Sequence, residues 1–235
     1  MAQTAELQRL PWTCVAPVPR EVEDELLTVL FRWRNEVGMM RVQPGWRVDK
    51  VSAKCRRLDT PMQTALSLRR HHITANHKGR TGVQLGLGTE EHISGAATEF
   101  ELAVAQYLDS EGVAYITEAA QAKGSGVLTP DFRFSSPVEI GGQVVHWLEA
   151  KQFYGAATIK QDGKSAVGKL CGKAKRYVAQ LRPGAIVFAY GCSAELAAQL
   201  AADGVLALDA APLNMARVEA QQAMWCADAA GRILP

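Results

Sequence analysis

The sequence predicts an α/β protein in which a mixed sheet flanked by helices follows a helical N-terminal region. From Ser94 onward, segments with helical apolar spacing alternate with short apolar runs that are typical of strands. Before Ser94, apolar residues recur every three or four positions in segments that favour helices. Hydrophobic residues make up 48% of the 235 residues, which is enough for one good core with a smaller appendage.

The composition narrows the class of protein. The net charge is only +2, so any affinity for nucleic acid must come from an uneven distribution of charge. The five cysteines are widely spaced and form no CxxC pair, which predicts free thiols in a reducing compartment. There is no apolar run of membrane length and no basic-then-apolar secretory signal at the N-terminus. We therefore expect a soluble intracellular protein, in the nucleus or cytoplasm, with no membrane partner.

Residues 1–80 are predicted to form a basic helical region. A first helix from Arg20 to Val37 has acidic residues in its first turn and arginines near its end, which matches the helix dipole. A second helix runs from Val48 to Leu58, and Asp59-Thr60-Pro61 then caps and starts a third that reaches about Arg70. The three helices predict a helix-turn-helix-like module that contacts nucleic-acid phosphates. Arg69 and Arg70 are the candidate contact residues. A solvated helical cap on the following domain is the alternative.

Three histidines, His71, His72 and His77, follow the third helix without convergent Cys or Asp residues. This favours a phosphate-facing or exposed loop over a metal site. Glycines recur between Lys78 and Gly88, so we place a glycine-rich linker at 81–93 and a second domain at 94–235.

The second domain begins with a helix from Ser94 to Asp109, followed by a strand from Val113 to Thr117. A hairpin spans Thr129 to Gly155, with Gly141-Gly142 at its turn. The remaining elements are a helix within Ile159–Leu181, a strand at Gly184–Tyr190, a helix from Ser193 to Ala202, a strand at Val205–Leu208 and a terminal helix within 215–226.

The hairpin carries the residues that indicate chemistry: Pro130-Asp131 and, after the turn, Glu149-Ala150-Lys151. Alternate residues of a strand share a face, so Glu149 and Lys151 point the same way, about 7 Å apart. Asp131 and Glu149 supply the carboxylates that Mg²⁺ or Mn²⁺ prefers, and Lys151 stands beside them to act on a water molecule or a phosphate. The pattern predicts a metal-dependent phosphodiesterase site. An amphipathic surface hairpin with solvated charges is the alternative, which the apolar second strand disfavours.

The hairpin is predicted to be irregular. With a strict two-residue turn, Phe134 would face Glu149, and Asp131 would lie on the opposite face of the sheet from the site. A shared site therefore requires a bulge or a longer loop, which we expect at Ser135-Ser136-Pro137 because proline cannot donate to the ladder.

A third carboxylate is expected from the helix that begins at Ser94. The buried face of this helix centres near Phe100 and Val104, and Glu101 lies about 80° from that direction, whereas Glu99 lies about 120° away. Glu101 is therefore the predicted metal ligand, with Glu99 as the alternative. In a further alternative both are solvated charges near the positive end of the helix.

Basic residues also follow the hairpin, on the predicted helix within Ile159–Leu181, where a nucleic-acid backbone would lie beside the site. A solvated face is again the alternative. The candidate nucleic-acid contacts there are Lys160, Lys164, Lys169, Lys173, Lys175 and Arg176.

The hairpin resembles the signature of the codanin-interacting nuclease family, a branch of the PD-(D/E)xK superfamily that is similar to archaeal Holliday-junction resolvases. The resemblance covers about residues 94 to 200 and is carried mainly by Thr129-Pro130-Asp131, His146-Trp147-Leu148-Glu149-Ala150-Lys151 and Gly155. A loose Gly-x-x-x-x-[FY]-E pattern ending at Glu101 agrees with it.

The resemblance implies a restriction-endonuclease-like fold and a metal-dependent endonuclease that hydrolyses structured or branched DNA. It implies one or two Mg²⁺ or Mn²⁺ ions held by Asp131, Glu149 and Glu101, with Lys151 as the fourth catalytic residue. It also implies DNA over RNA and a codanin-like protein partner, and it leaves homodimerisation open. A non-catalytic nucleic-acid-binding or scaffold protein on the same fold is the competing hypothesis, because a fold does not fix a function.

Overall fold

A computed structural model describes residues 7–33, 40–42, 47–76, 90–121, 128–161, 163 and 165–226. The strands are β1 (Gln8–Arg9), β2 (Phe31–Trp33), β3 (Met40–Val42), β4 (Tyr115–Thr117), β5 (Phe132–Ile140), β6 (Gln143–Lys151), β7 (Gly184–Phe188) and β8 (Val205–Asp209). The helices are α1 (Arg20–Leu30), α2 (Val48–Arg57), α3 (Met62–Asn76), α4 (Glu90–Ser110), α5 (Ala166–Leu181), α6 (Ala194–Ala202) and α7 (Ala216–Cys226).

Six strands form one sheet in the order β1-β5-β6-β7-β8, with β4 paired to β5. The pairs β1–β5, β6–β7 and β7–β8 are parallel, and β4–β5 and β5–β6 are antiparallel. Helices flank this sheet, so the predicted mixed sheet with flanking helices is confirmed. Within the described ranges no helix is long and apolar enough to cross a membrane.

Two serines begin the helices that follow the hairpin. The side chain of Ser165 accepts a hydrogen bond from the Gly168 N–H at the start of α5. The side chain of Ser193 accepts one from the Glu195 N–H at the start of α6. Helix α5 therefore begins later than Ile159, and it presents its buried residues to the sheet beside β6.

The first helix ends seven residues before its predicted end. Helix α1 stops at Leu30, because Phe31 adopts an extended conformation (φ −136°, ψ 153°) and begins β2. Strand β2 pairs with β3 in a separate antiparallel ribbon. The local apolar spacing continues past Leu30, but this distant pairing overrides it.

Helix α3 extends to Asn76 and includes two of the histidines that were expected in a loop. His72 is buried, its Nε2 atom lies 2.9 Å from the Thr158 hydroxyl, and burial lowers its pKa to about 4. The His71 ring packs against Phe153, with 4.4 Å between ring centroids. The expectation of a phosphate-facing or exposed loop is therefore wrong for these two residues. His77 and the predicted glycine-rich linker up to residue 89 lie outside the described residues.

The N-terminal elements pack into the same core as the sheet. The fully buried Glu23 carboxylate of α1 accepts hydrogen bonds from the Tyr154 hydroxyl (3.1 Å) and the Thr158 N–H (2.8 Å). The Thr158 hydroxyl donates a further, short bond to Glu23. The Trp12 indole donates to the Asp209 carbonyl at 2.9 Å, and β1 adds an edge strand to β5. Helices α1 and α3 therefore contribute to the same core as the sheet.

The positive charges of α2 are partly neutralised by an acidic residue of α1. Lys54 of α2 lies 2.7 Å from the Glu25 carboxylate of α1, and Arg57 pairs with the same carboxylate. The candidate contact Arg69 is only 5% exposed, which leaves its guanidinium little access to a phosphate and departs from its predicted role. Arg70 is partly buried.

Candidate active site

The hairpin contains the predicted irregularity. Near the turn, Ile140 pairs with Gln143 and Val138 with Val145, as a two-residue turn requires. Beyond a register shift between Arg133 and Val138, Arg133 pairs with Trp147 and Phe132 with Leu148. The shift falls at Ser135-Ser136-Pro137, so the predicted bulge is confirmed. It places Asp131 opposite Glu149, on the face of the sheet that α5 covers.

The two carboxylates of the hairpin lie together and are buried. Asp131 is 9% exposed and Glu149 is 1% exposed. The Ala150 N–H donates to Asp131 Oδ2 at 2.7 Å, and the Asp131 N–H approaches Glu149 Oε2 at 3.4 Å. The Asp131 side chain is therefore held by the backbone of the Glu149-Ala150-Lys151 segment.

Two lysines compensate the charge of Glu149. The Lys151 Nζ lies 2.8 Å from Glu149 Oε1 and 3.4 Å from Asp131 Oδ2. The Lys173 Nζ of α5 also lies 2.8 Å from Glu149 Oε1, and it stands 5.1 Å from the centroid of the Tyr177 ring. One carboxylate oxygen thus accepts from two ammonium groups, which is a strongly charged centre for a buried position.

The environment shifts the pKa values of the two acids in opposite directions. Burial raises the pKa of Asp131, and the neighbouring charge of Glu149 raises it further. Burial also acts to raise the pKa of Glu149, but Lys151 and Lys173 outweigh it, so the pKa of Glu149 is lowered. Glu149 is therefore the acid that stays ionised, whereas the negative charge of Asp131 would be stabilised by a proton or a cation.

The segment before Asp131 is positioned by side chains from two other elements. The Tyr177 hydroxyl of α5 donates to the Thr129 carbonyl at 2.8 Å. The Gln121 amide donates to the Pro130 carbonyl at 2.7 Å, and the Thr129 hydroxyl donates to Glu118 at 3.2 Å. Burial and the charges of Glu149 and Asp131 raise the pKa of Tyr177, which keeps its hydroxyl protonated as a donor.

The structure separates the two candidate glutamates of α4. Glu99 Oε1 lies 2.8 Å from the Arg217 guanidinium of α7, so this carboxylate is engaged away from the hairpin. Desolvation raises the pKa of Glu101, and the charge of Asp131 adds to that shift. Glu101 is exposed on α4, on the side where the charge of Asp131 acts on it, and its role as a ligand stays a prediction. It does not complete a compact ligand set, because no three His, Cys, Asp or Glu side chains among the described residues group as a metal site.

The donor set nevertheless fits a hard divalent cation. Mg²⁺ is commonly bound by one or two carboxylates, with water and substrate phosphate as the other ligands. Asp131 Oδ2 accepts from Ala150 and Lys151, whereas Asp131 Oδ1 accepts no hydrogen bond from the described residues. The raised pKa of Asp131 indicates that a positive charge at this oxygen would relieve the repulsion between the two acids.

The basic residues predicted to contact nucleic acid divide into three groups. Lys173 lies inside the site, on Glu149. Lys175 pairs with Asp203 at 3.5 Å. Lys160, Lys169 and Arg176 are exposed, and Lys164 lies outside the described residues.

Sequence reasoning missed that Lys173 and Tyr177 belong to the site. Their spacing of four residues places both on one face of a helix, and that face also carries the buried residues Leu170 and Ala174. A lysine on the apolar face of an otherwise amphipathic helix was the available signal, because an ammonium at the edge of a core favours an anionic partner.

Comparison with known proteins gives one match. Residues 83–211 match a family described as "Protein of unknown function TPD sequence-motif". Thr129, Pro130 and Asp131, which spell TPD, lie within the matched range. No curated protein and no solved structure matches the chain.

Proposed function

We propose that this chain, which belongs to the TPD sequence-motif family of proteins of unknown function, is a metal-dependent nuclease. The family description names no activity, so the proposal rests on the chemistry of the hairpin site. Its reaction is hydrolysis of a phosphodiester bond in DNA, with structured or branched DNA as the preferred substrate. A PD-(D/E)xK nuclease core is part of the proposal, and the resemblance adds a codanin-like protein partner.

The register shift in the hairpin is the observation that carries the proposal. It brings Asp131 onto the face of Glu149 and buries both acids beside Lys151 and Lys173. Two buried carboxylates that share one lysine are costly for stability, and well-packed apolar residues would cost less. Such an arrangement is typical of a site whose acids have a chemical role.

Mg²⁺ or Mn²⁺ held by Asp131, Glu149 and Glu101 would polarise the phosphoryl oxygen and lower the pKa of the attacking water. Lys151 holds its ammonium at Glu149, where it orients that water and stabilises the negative charge on the non-bridging phosphoryl oxygens. The water oxygen bonds to phosphorus in line as the bond to the leaving oxygen breaks, and a proton passes to that oxygen. Lys173 keeps Glu149 ionised, and Tyr177 fixes the backbone that presents Asp131.

A cleavage assay tests the proposal. Labelled four-way junctions, flaps, duplexes and single strands of DNA and RNA are incubated with Mg²⁺ or Mn²⁺, with and without a chelator. We expect cleavage of at least one DNA structure, lost on chelation and lost in Asp131→Asn and Lys151→Ala, with the binding of Lys151→Ala nearly unchanged. Cleavage that persists in both variants would show that the hairpin is not the active site.

One observation favours the competing function, a non-catalytic nucleic-acid-binding protein. Glu149 is already neutralised by Lys151 and Lys173, as in a purely structural ion-pair network. Tight binding across the same panel, with no cleavage under any metal condition, would support this alternative.

A further inference from the structure

A cavity lies at the bulge of the hairpin, beside the C-terminal end of α5. Its volume is about 310 Å³. Its polar lining residues, which we call the basic pocket, are Arg133, Ser135, His146, Gln180 and Arg182. No Asp or Glu lines it, so the described walls carry two guanidinium groups and one imidazole without a carboxylate.

The charges of the basic pocket are not compensated within the described part of the chain. Neither guanidinium donates a hydrogen bond or forms an ion pair there, unlike Arg20, which binds both Asp24 and Glu195. Burial lowers the pKa of His146, and the charge of Arg182 lowers it further. The positive potential in the pocket disfavours protonation of His146 and favours the binding of an anion.

The wall that carries Arg182 is fixed by its backbone. Arg182 adopts φ 73° and ψ −176° after the end of α5, a conformation that glycine usually supplies. Its N–H donates to Val178 at 3.0 Å, and its carbonyl accepts from the Trp147 indole at 2.9 Å. An arginine kept in this unfavourable conformation points to a use for its side chain.

The opposite wall is fixed in the same way. The Ser135 N–H donates to the Ala114 carbonyl at 2.9 Å, and the His146 N–H donates to the Pro183 carbonyl at 2.9 Å. The bulge that aligns Asp131 with Glu149 therefore also shapes one side of the pocket. A pocket with a preformed backbone loses little entropy on binding an ion.

Arg133 of the basic pocket lies on the same face of the sheet as the carboxylates. Arg133 pairs with Trp147, which packs on Tyr177 of α5, and Glu149 contacts Lys173 of the same helix. Arg133 follows Asp131 by two residues, a separation of about 7 Å along a strand. Successive nucleotides advance about 3.4 Å along a helical axis, so this offset corresponds to roughly one or two nucleotides.

We infer that the basic pocket binds a phosphate group, and that in the proposed nuclease this is a backbone phosphate next to the scissile one. Arginine suits the role because its planar guanidinium donates to two phosphate oxygens at once. The second part of this inference rests on the proposed function, whereas the first does not.

Inorganic phosphate tests the first part without any nucleic acid. The ring resonances of His146, assigned with His146→Gln, are followed by NMR during a pH titration with and without phosphate. We expect phosphate to raise the pKa of His146, because the anion stabilises the charged imidazole. The rise is lost in Arg133→Gln and in Arg182→Gly, in which glycine accepts the backbone conformation. It is kept in Arg176→Gln, which removes the same charge from an exposed position of α5 outside the pocket. The inference would be overturned if phosphate left the pKa of His146 unchanged, or if it raised this pKa equally in all variants.

Single methylphosphonate substitutions test the second part. Each removes the charge of one phosphate along a labelled DNA strand, and affinity is measured by anisotropy in the presence of a chelator. One position near the scissile bond should weaken the binding of the wild-type protein and of Arg176→Gln, but not that of Arg133→Gln/Arg182→Gly. The double variant should also reduce the salt slope by about one unit, because the pocket takes one phosphate.

The outcomes separate the two proposals. Metal-dependent cleavage with no methylphosphonate position that depends on the pocket would overturn the backbone-phosphate assignment and leave the nuclease intact. A phosphate-dependent shift of His146 in a protein that neither binds nor cleaves nucleic acid would identify a site for free phosphate and refute the nuclease.

Discussion

Asp131 and Glu149 share a face of the hairpin because β5 contains three more residues than β6 within the bulge. Arg133 and Val138 are five residues apart, whereas their partners Trp147 and Val145 are two apart. An odd number of extra residues exchanges the two faces of a strand, and an even number would leave Asp131 on the wrong face. The position of Pro137 in the bulge is consistent with this, since proline cannot donate to the ladder.

The carboxylate pair predicts a stability that depends on pH and on metal. The pKa of Asp131 is raised, so its proton stabilises the fold at low pH, and this contribution is lost as pH rises through the folded-state pKa. We therefore expect Asp131→Asn to be more stable than the wild type at neutral pH without divalent cations, although it is inactive.

Thermal unfolding checks this expectation. Addition of Mg²⁺ should raise the melting temperature of the wild type and leave that of Asp131→Asn unchanged, because the cation binds only the ionised site. The difference in stability between the two proteins should shrink as the pH is lowered. A variant that is less stable than the wild type at every pH would show that the Asp131 charge is fully compensated by Lys151.

The sequence predicts the hairpin better than it predicts what surrounds it. Side chains alternate between the two faces of a strand, and the glycine turn fixes which residues of the two strands pair. Both features depend on the hairpin alone, so residues 129 to 151 contain what is needed to infer the bulge. The contact between Lys173 and Glu149 joins elements 24 residues apart, and no local pattern specifies which face of α5 meets β6. Within α5, the placement of Lys173 among apolar positions was the feature that indicated an anionic partner.

The burial of Glu23 in the N-terminal region could not be predicted from the local sequence either. It stands among several acids in the first turn of α1, where the helix dipole already accounts for negative charge. Only the fold shows that this one is fully buried on Tyr154 and Thr158, more than 130 residues away. Its burial shows that α1 packs directly on the segment from Tyr154 to Thr158.

Replacement of Glu101 is expected to reduce activity much more than replacement of Glu99. Glu101 lies in the field of Asp131, whereas Glu99 pairs with Arg217, whose side chain is 72% exposed. Glu101→Gln should lower kcat by at least about tenfold at unchanged stability. Glu99→Gln should retain activity and cost less than about 1 kcal/mol in the free energy of unfolding, because its partner Arg217 is largely exposed and the amide keeps a hydrogen-bond acceptor.

Initial-rate kinetics and urea unfolding of the two variants provide the measurement. They are matched, since each replaces one carboxylate of α4 by an isosteric amide. Small and equal losses of activity would mean that Asp131, Glu149 and Lys151 work without a ligand from this helix.

Lys173 is expected to act differently from the exposed basic residues of the same helix. It contacts Glu149 at 2.8 Å, so Lys173→Ala should lower turnover and raise the pKa of Glu149, with little change in the salt dependence of DNA binding. Lys169 and Arg176 are exposed, and their joint replacement by Gln should reduce the salt slope by up to about two units while turnover at saturation is kept.

Binding isotherms at several salt concentrations and single-turnover rates distinguish the two effects. Lys175→Gln is the control, because this lysine belongs to the same helix but pairs with Asp203. An unchanged salt slope in the Lys169/Arg176 variant would identify that surface as a solvated face.

Removal of residues 1–80 is expected to unfold the protein. A helical region joined by a linker would be dispensable, but Glu23, Thr64 and Ser67 bond directly to the segment from Tyr154 to Tyr190. Truncation would leave the N–H groups of Tyr154 and Thr158 without partners and would expose the surface now covered by Leu26, Leu27 and Leu30.

Glu23→Gln is the point test of the same expectation. It removes a buried charge that accepts several hydrogen bonds, and we expect a loss of about 2 kcal/mol in the free energy of unfolding, measured by urea denaturation. Glu21→Gln, in the same turn but without a buried partner among the described residues, should cost less than about 0.5 kcal/mol. A truncated 81–235 fragment that is monomeric, cooperative in unfolding and active would refute this account, because it would show that the sheet and α5 form a complete core without α1 and α3.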